Sequence, residues 1–162
     1  PRKNFLALIQ AWQHLSKDHH LLIVGDGPLK KRYEREIQAL KLAHVTLRPF
    51  QPKSLLLSML RASDVFALMS KEDIYGHVIN EALSQGVPVL ASDQIVSAQT
   101  LIEPGRHGML MPLTQMKQLP KVFNQVLLLN AAEACLEVAR KNTIETMTQK
   151  HLDLFSQLGT VS

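Results

Sequence analysis

Short apolar runs punctuate the chain at even intervals: "LLIVG" from Leu21, "HVTLR" from His44, "DVFALM" from Asp64, "VPVLAS" from Val87 and "GMLMP" from Gly108. None alternates strictly between apolar and polar positions, which is the pattern of strands covered on both faces. The segments between them have helical spacing. Leu29, Tyr33, Ile37 and Leu40 form one stripe; Leu55, Leu56, Met59 and Leu60 form another. Strands alternating with helices predict right-handed βαβ units and a parallel sheet, an α/β Rossmann-like fold. The opening "PRKNFLALIQAWQHL" reads as a helix with Phe5, Leu8, Ile9, Trp12 and Leu15 inward and Asn4 as N-cap. Beyond Leu113 three closing helices follow, from about 115 to 158, so 1–162 reads as a single domain. A doubly wound half ordinarily opens on a strand before its first helix. The expectation is therefore that the chain is a piece of a longer one, cut near or within that strand.

Composition narrows the classes. The 162 residues, 46% hydrophobic and 20% charged, suffice for one soluble core. The net charge of +4 is spread along the chain, which suits an anionic ligand but not a nucleic-acid surface. Cys135 stands alone, so no internal disulfide forms, and no CxxC or histidine spacing predicts a metal site. A cytoplasmic setting, at the inner face of the membrane at most, is expected. No apolar run approaches the length of a membrane span.

In parallel α/β sheets ligands gather at the carboxyl ends of the strands. Three stretches there carry candidate chemistry. In "VGDGPLKKR", Gly25 and Gly27 bracket Asp26, with Pro28 placed in the first helical turn. This is not the GxGxxG fingerprint, and a plain tight turn explains it equally well. In "SKEDIYGHVINEALSQGVPVLASD", Val78, Ile79, Ala82 and Leu83 make an apolar helix face, while His77, Asn80, Glu81 and Ser84 share the opposite one. Gly76 at the entry leaves amides and the positive helix end open to an anion. Glu81, one turn further in, suits a sugar diol. Third, Arg2 and Lys3 precede a helix and offer cations for a diphosphate, although alone each reads as an ordinary surface residue.

In their order and spacing, "RKNFLALIQAW", "LLIVGDGP", "VTLRPF", "SDVFALMS", "EDIYGHVINEALSQGVPVLASD" and "LIEPGRHGMLMP" resemble the C-terminal domain of retaining GT-B glycosyltransferases of the bacterial group 1 family. The resemblance runs from residue 2 to about 130. It implies that Glu81 takes the ribose hydroxyls. The family's first glutamate, a contact to the transferred sugar, falls on Asp73 with Glu72 beside it. Backbone groups around Tyr75, Gly76, His77 and Val78 would hold the diphosphate and sugar, together with Lys3 and Arg2. Backbone around Arg48, Pro49 and Phe50 would read the base, with Gly25 and Gly27 bordering the cleft.

The resemblance further implies transfer from a UDP-, GDP- or ADP-sugar to a glycan or lipid-linked acceptor, with retention and without metal or other cofactor. It also implies a role in cell-surface polysaccharide synthesis, such as lipopolysaccharide or capsule. The acceptor site would belong to a missing N-terminal domain, the half that would also carry any peripheral membrane contact. The chain alone is then expected to bind without transferring. A strip of Ile144, Met147, His151 and Leu154 either packs on its own domain or is bare and promotes self-association. A non-catalytic glycosyltransferase-like subunit and a nucleotide-sugar epimerase are the alternative readings.

Overall fold

The computed structural model describes residues 2–73 and 76–158; in the last helix the side chains at 147, 150, 151, 157 and 158 lie outside that description. The elements run α1 (Phe5–Trp12), β1 (Leu21–Val24), α2 (Lys30–Ala39), β2 (Val45–Arg48), α3 (Lys53–Arg61), β3 (Phe66–Leu68), α4 (His77–Ser84), β4 (Val89–Ser92), α5 (Val96–Leu101) and β5 (Gly108–Met111). A 3-10 turn (Leu113–Gln118) then leads into α6 (Leu119–Leu127), α7 (Ala132–Lys141) and α8 (Ile144–Leu158). Every strand lies within an apolar run read from the sequence, and all ladders are parallel.

The sheet departs from the expected single one. Among the described residues it forms two hydrogen-bonded pieces, β1–β2 and β3–β4–β5. Leu21 and Gly25 donate to β2-side carbonyls at His44 and Arg48, and Phe66 donates to Pro88 at the start of the β4 ladder. In doubly wound order 3-2-1-4-5-6, these pieces correspond to positions 3-2 and 4-5-6. The intervening position has no counterpart among the described residues, so β1 and β3 have no ladder to share. Apolar packing joins the pieces instead. Leu21, Ile23 and Val45 share one core with Met69, Leu90, Met111 and the inner faces of α1 and α6.

The opposite face of β3–β5 is covered by α4, α5 and α7. Ile79, Ala82 and Leu83 of α4 are buried against Val89, Ala91, Ile95 and Cys135. Each large side chain so buried contributes about 1.5–3 kcal/mol relative to exposure, so α4 is anchored along its apolar side and only its entry and polar face meet solvent. Burial also pushes the Cys135 thiol up to about 11, which makes it an inert core group.

Of two local expectations, one holds in part and one fails. Asn4 stands at the expected N-cap position of α1, but in a left-handed conformation (φ 55°) and without a side-chain capping bond. Pro28 lies in the turn before α2, which starts at Lys30. On α8, Ile144, Leu152, Leu154 and Phe155 are exposed, so the apolar strip is bare at Ile144 and Leu154. The Met147 and His151 side chains lie outside the described residues.

Candidate functional site

The carboxyl ends of the strands carry the candidate residues as two separate loops, each bound to a neighbour. On the β1–β2 side, Gly25 takes φ 134°, and its N–H donates to the Arg48 carbonyl at 3.0 Å. That conformation strains any residue with a Cβ. Asp26 then reaches across the loops. Its Oδ2 accepts the Phe50 N–H at 2.8 Å and its Oδ1 accepts Lys30 Nζ at 3.1 Å. The Phe50 amide first, and Lys30 second, hold the Asp26 carboxyl below its ordinary range. The Pro49 carbonyl accepts Gln51 Nε2 at 3.0 Å. Nothing stands within 4 Å of a Cβ added at Gly25 or Gly27.

On the β3–α4 side the geometry is tight. Gly76 precedes α4 at φ 68°, where an added methyl would collide with Ser97 Oγ and stand 3.0 Å from Ile95 Cγ2. Ser97 Oγ donates to the Gly76 carbonyl at 3.2 Å, and the Ile79 N–H donates to the same oxygen at 2.9 Å. Only glycine combines that backbone with that approach. The α4 entry is thus fixed from below by α5, an element the strand–helix reading of the sequence did not single out.

The entry is partly claimed by the chain itself. Asp73 Oδ1 accepts the Gly76 N–H at 3.2 Å, and its Oδ2 forms an ion pair with Lys3. Burial would raise the Asp73 carboxyl, but Lys3, Gly76 and Arg2 together outweigh it and hold it below 3.8. The Arg2 carbonyl accepts the Lys71 N–H at 2.8 Å, which brings the chain's start to this loop. The structure therefore brings Arg2, Lys3, Asp73 and Gly76 together. Glu72 is exposed, and Asp73 is the carboxylate at the helix mouth. Tyr75 lies outside the described residues. Val78 is half-buried against the core beneath, and His77 is exposed.

Glu81 faces an open hollow of about 350 Å³ lined by Lys53, His77, Asn80 and the α7–α8 junction at Asn142–Glu145. Its Oε1 accepts Lys53 Nζ at 2.9 Å. Asn80 Nδ2 donates to the Asn142 carbonyl at 3.1 Å, which ties α4 to the end of α7. Lys53 is a residue the sequence reading missed, although a signal existed. A lysine in the first turn of a helix sits at the positive dipole end, where it is electrostatically misplaced without a carboxylate partner. Lys30 opens α2 in the same way, and its partner is Asp26. Three lysines and three carboxylates thus line one sheet edge: Lys3 with Asp73, Lys30 with Asp26 and Lys53 with Glu81. Among the described residues no three His, Cys, Asp or Glu side chains are grouped as metal ligands.

The sequence model of glycosyl transferases group 1 matches residues 1–144. The chain belongs to that family. Among curated proteins, this group 1 chain is 35% identical over 97 residues to a D-inositol 3-phosphate glycosyltransferase of Nocardia farcinica, covering 56% of the chain and 21% of that protein. It is 26% identical to an exopolysaccharide phosphotransferase of Streptomyces coelicolor over 98% of the chain and 18% of the relative. Solved structures share its fold. The lipopolysaccharide outer core galactosyltransferase WaaB superposes with a TM-score of 0.84 at 17% identity, over 97% of this chain and 46% of that one. Anabaena HepE in complex with UDP-glucose gives 0.81 at 24%, again over 97% and 46%. The group 1 chain therefore spans about a fifth of these curated relatives and under half of these solved chains. Its α/β architecture is that of GT-B glycosyltransferases.

Proposed function

We propose that this group 1 chain is the donor-binding domain of a retaining glycosyltransferase. It takes a nucleoside diphosphate sugar, and the whole protein transfers the sugar to a glycan or lipid-linked acceptor in cell-surface polysaccharide synthesis at the cytoplasmic side of the membrane. The observation that carries this reading is the geometry of α4. Its glycine-fixed entry carries a lysine-held carboxylate, and the acid one turn deeper faces an open hollow. The solved relative that holds UDP-glucose shares this fold.

The roles follow from the chemistry. The diphosphate meets Lys3, Arg2 and the positive end of α4, which stabilise leaving-group charge as fixed cations and dipoles without a divalent ion. Lys3 exchanges its hold on Asp73 for the phosphate, freeing Asp73 toward the transferred sugar. Glu81, steadied by Lys53, accepts from the ribose hydroxyls. The acceptor side belongs to a second domain, and closure between the two halves positions the reactants and excludes water. The chain alone accordingly binds the donor without turnover.

Titration of UDP, GDP and ADP followed by amide NMR shifts tests this. Shifts are expected at Gly76–Glu81 and Lys3. Absence of any shift there at millimolar nucleotide overturns the reading.

A further inference from the structure

The run "LIEPGRHGMLMP" holds a buried titratable group that the proposed donor site does not use. His107 is 3% exposed and lies in the turn that joins α5 to β5. It exchanges two hydrogen bonds with Glu103. The His107 N–H donates to the Glu103 carbonyl at 3.1 Å, and the Glu103 N–H donates back to ring Nδ1 at 3.1 Å. Nδ1 therefore carries no proton, and the neutral ring is protonated at Nε2, which is buried without a hydrogen-bond partner. The His107 carbonyl accepts the Val89 N–H at 3.0 Å, where β4 begins, and the Cys135 thiol of α7 at 3.9 Å. One residue thus ties the end of α5 to β4 and α7.

A second proton on this ring is badly placed. It turns Nδ1 into a donor facing the Glu103 N–H, and it puts a charge where water does not reach. Among the described residues, the charged side chains that act on the ring are Arg106 and Glu103 from its own turn and Glu137 from α7. The segments β4 and α5 contain no charged residue. Both carboxylates are already engaged, Glu103 by Arg106 at 3.1 Å and Glu137 by Arg106 at 3.0 Å and by Lys141. The Cys135 thiol, pushed up to about 11, stays neutral and supplies no counter-charge. Burial first and Arg106 second hold the ring below its ordinary 6.5, against the weaker pull of Glu103, the Leu101 carbonyl and Glu137.

We propose that His107 is an acid-sensitive brace: the α5–β5 turn is closed while the ring is neutral, and a proton taken up at Nδ1 breaks the Glu103 bond and loosens the first rung between β4 and β5. A group depressed on folding contributes fully above its unfolded value and loses that contribution as pH falls through the folded one. The turn is therefore tight above 6.5 and opens progressively below it. This inference is independent of the donor reading above.

Amide hydrogen exchange of the whole chain between about pH 7.5 and 5, corrected for the intrinsic pH dependence of exchange, reads the two bonds directly at Glu103 and Val89. In the parent the opening constant at both amides is expected to rise by up to about tenfold per pH unit below 6.5, the slope of one proton taken up on opening. His107→Asn offers Oδ1 in place of Nδ1, an acceptor that does not titrate in this range. That excess rise should vanish in the variant, with protection at the neutral end within a few-fold of the parent. The other histidines titrate in both chains and drop out of the comparison. Nitrogen NMR of the parent ring is a second measurement that needs no variant: it should show the Nε2–H tautomer at neutral pH and a titration below 6.5. An Nδ1–H tautomer, a ring that titrates at or above 6.5, or the same pH dependence in parent and His107→Asn overturns the proposal.

Discussion

Two loops at one sheet edge carry the glycines of this site, and they are built oppositely. The β3–α4 loop is clamped: Gly76 is buried, its carbonyl is held by Ser97, and its amide by Asp73. The β1–α2 loop is open: a Cβ added at Gly25 or Gly27 meets no protein atom within 4 Å. The clamped loop holds the groups proposed to meet charge, whose interaction energy falls off with distance and therefore rewards fixed geometry. The open loop borders the backbone that the resemblance assigns to the base, a flat uncharged group for which room matters more. Rigidity is concentrated where charge is handled.

The largest effect expected of any single change falls in the β3–β4–β5 piece that carries the clamped loop. Gly108 opens β5 at φ 151°, and an added Cβ would sit inside the Val89 backbone. Backbone in a central ladder has nowhere to go, so Gly108→Ala is expected to cost about 3 kcal/mol or more. Gly76→Ala should cost about 2 kcal/mol, since the left-handed backbone accounts for about 1–2 kcal/mol and Ser97 can swing aside in part. Urea denaturation of both variants orders them. If Gly76→Ala proved as stable as the parent, the clamp would be an ornament and the contrast would fail.

Binding at Glu81 comes next. Glu81→Gln removes a charged acceptor facing the hollow and should weaken UDP by about tenfold, ~1.4 kcal/mol. Inorganic pyrophosphate should move little. Stability should also move little, because exposed ion pairs such as Lys53–Glu81 contribute about 0–1 kcal/mol. Calorimetry with both ligands separates a ribose contact from a fold effect; equal loss for both would assign Glu81 to the phosphates.

A smaller effect belongs to Asp73. Its carboxyl is lowered in the folded chain from an ordinary 3.8. A group depressed on folding stabilises above its unfolded value and loses that contribution as pH falls through the folded one. Thermal unfolding between pH 5 and 2 should therefore fall more steeply in the parent than in Asp73→Asn, with the two curves converging at the acid end. Parallel curves would mean that the Lys3–Asp73 pair contributes nothing to the fold.

How much of this was legible beforehand follows from the same contrast. The strands were readable because buried parallel strands leave continuous apolar runs, and each run named from the sequence holds one. The polar face of α4 was readable from helical spacing, and the structure does turn Glu81 to a hollow. The break between β1 and β3 was half readable: a strand ahead of α1 was already noted as missing, but where its absence would part the sheet is set by topology that no local pattern encodes. The Asp26–Phe50 latch, which spans 24 positions between two loops, was not readable. The role of α5 was hidden for a similar reason: Ser97 matters through one hydroxyl beneath Gly76, and a serine in a short helix carries no periodic signal. Lys53 and Lys30 were legible in principle as cations at the wrong end of a helix.

The smallest stability effect is the sharpest test of the contrast. Gly27 lies in the open loop outside the positive-φ region, with nothing within 4 Å of an added Cβ. Alanine there restricts the unfolded chain without meeting the folded one, so Gly27→Ala should be neutral or stabilising by about 0.4–1 kcal/mol. The same methyl group projects into space that the proposal reserves for the donor. Nucleotide affinity should therefore fall several-fold while the melting temperature holds or rises, and pyrophosphate, bound at the α4 entry, should be indifferent. A gain in stability with nucleotide affinity intact would show that no ligand backs onto this turn, making its glycines a feature of the turn alone. A loss of stability would show instead that the loop is held more tightly than its open surroundings imply, and the division between a clamped half and an open half would no longer describe the site.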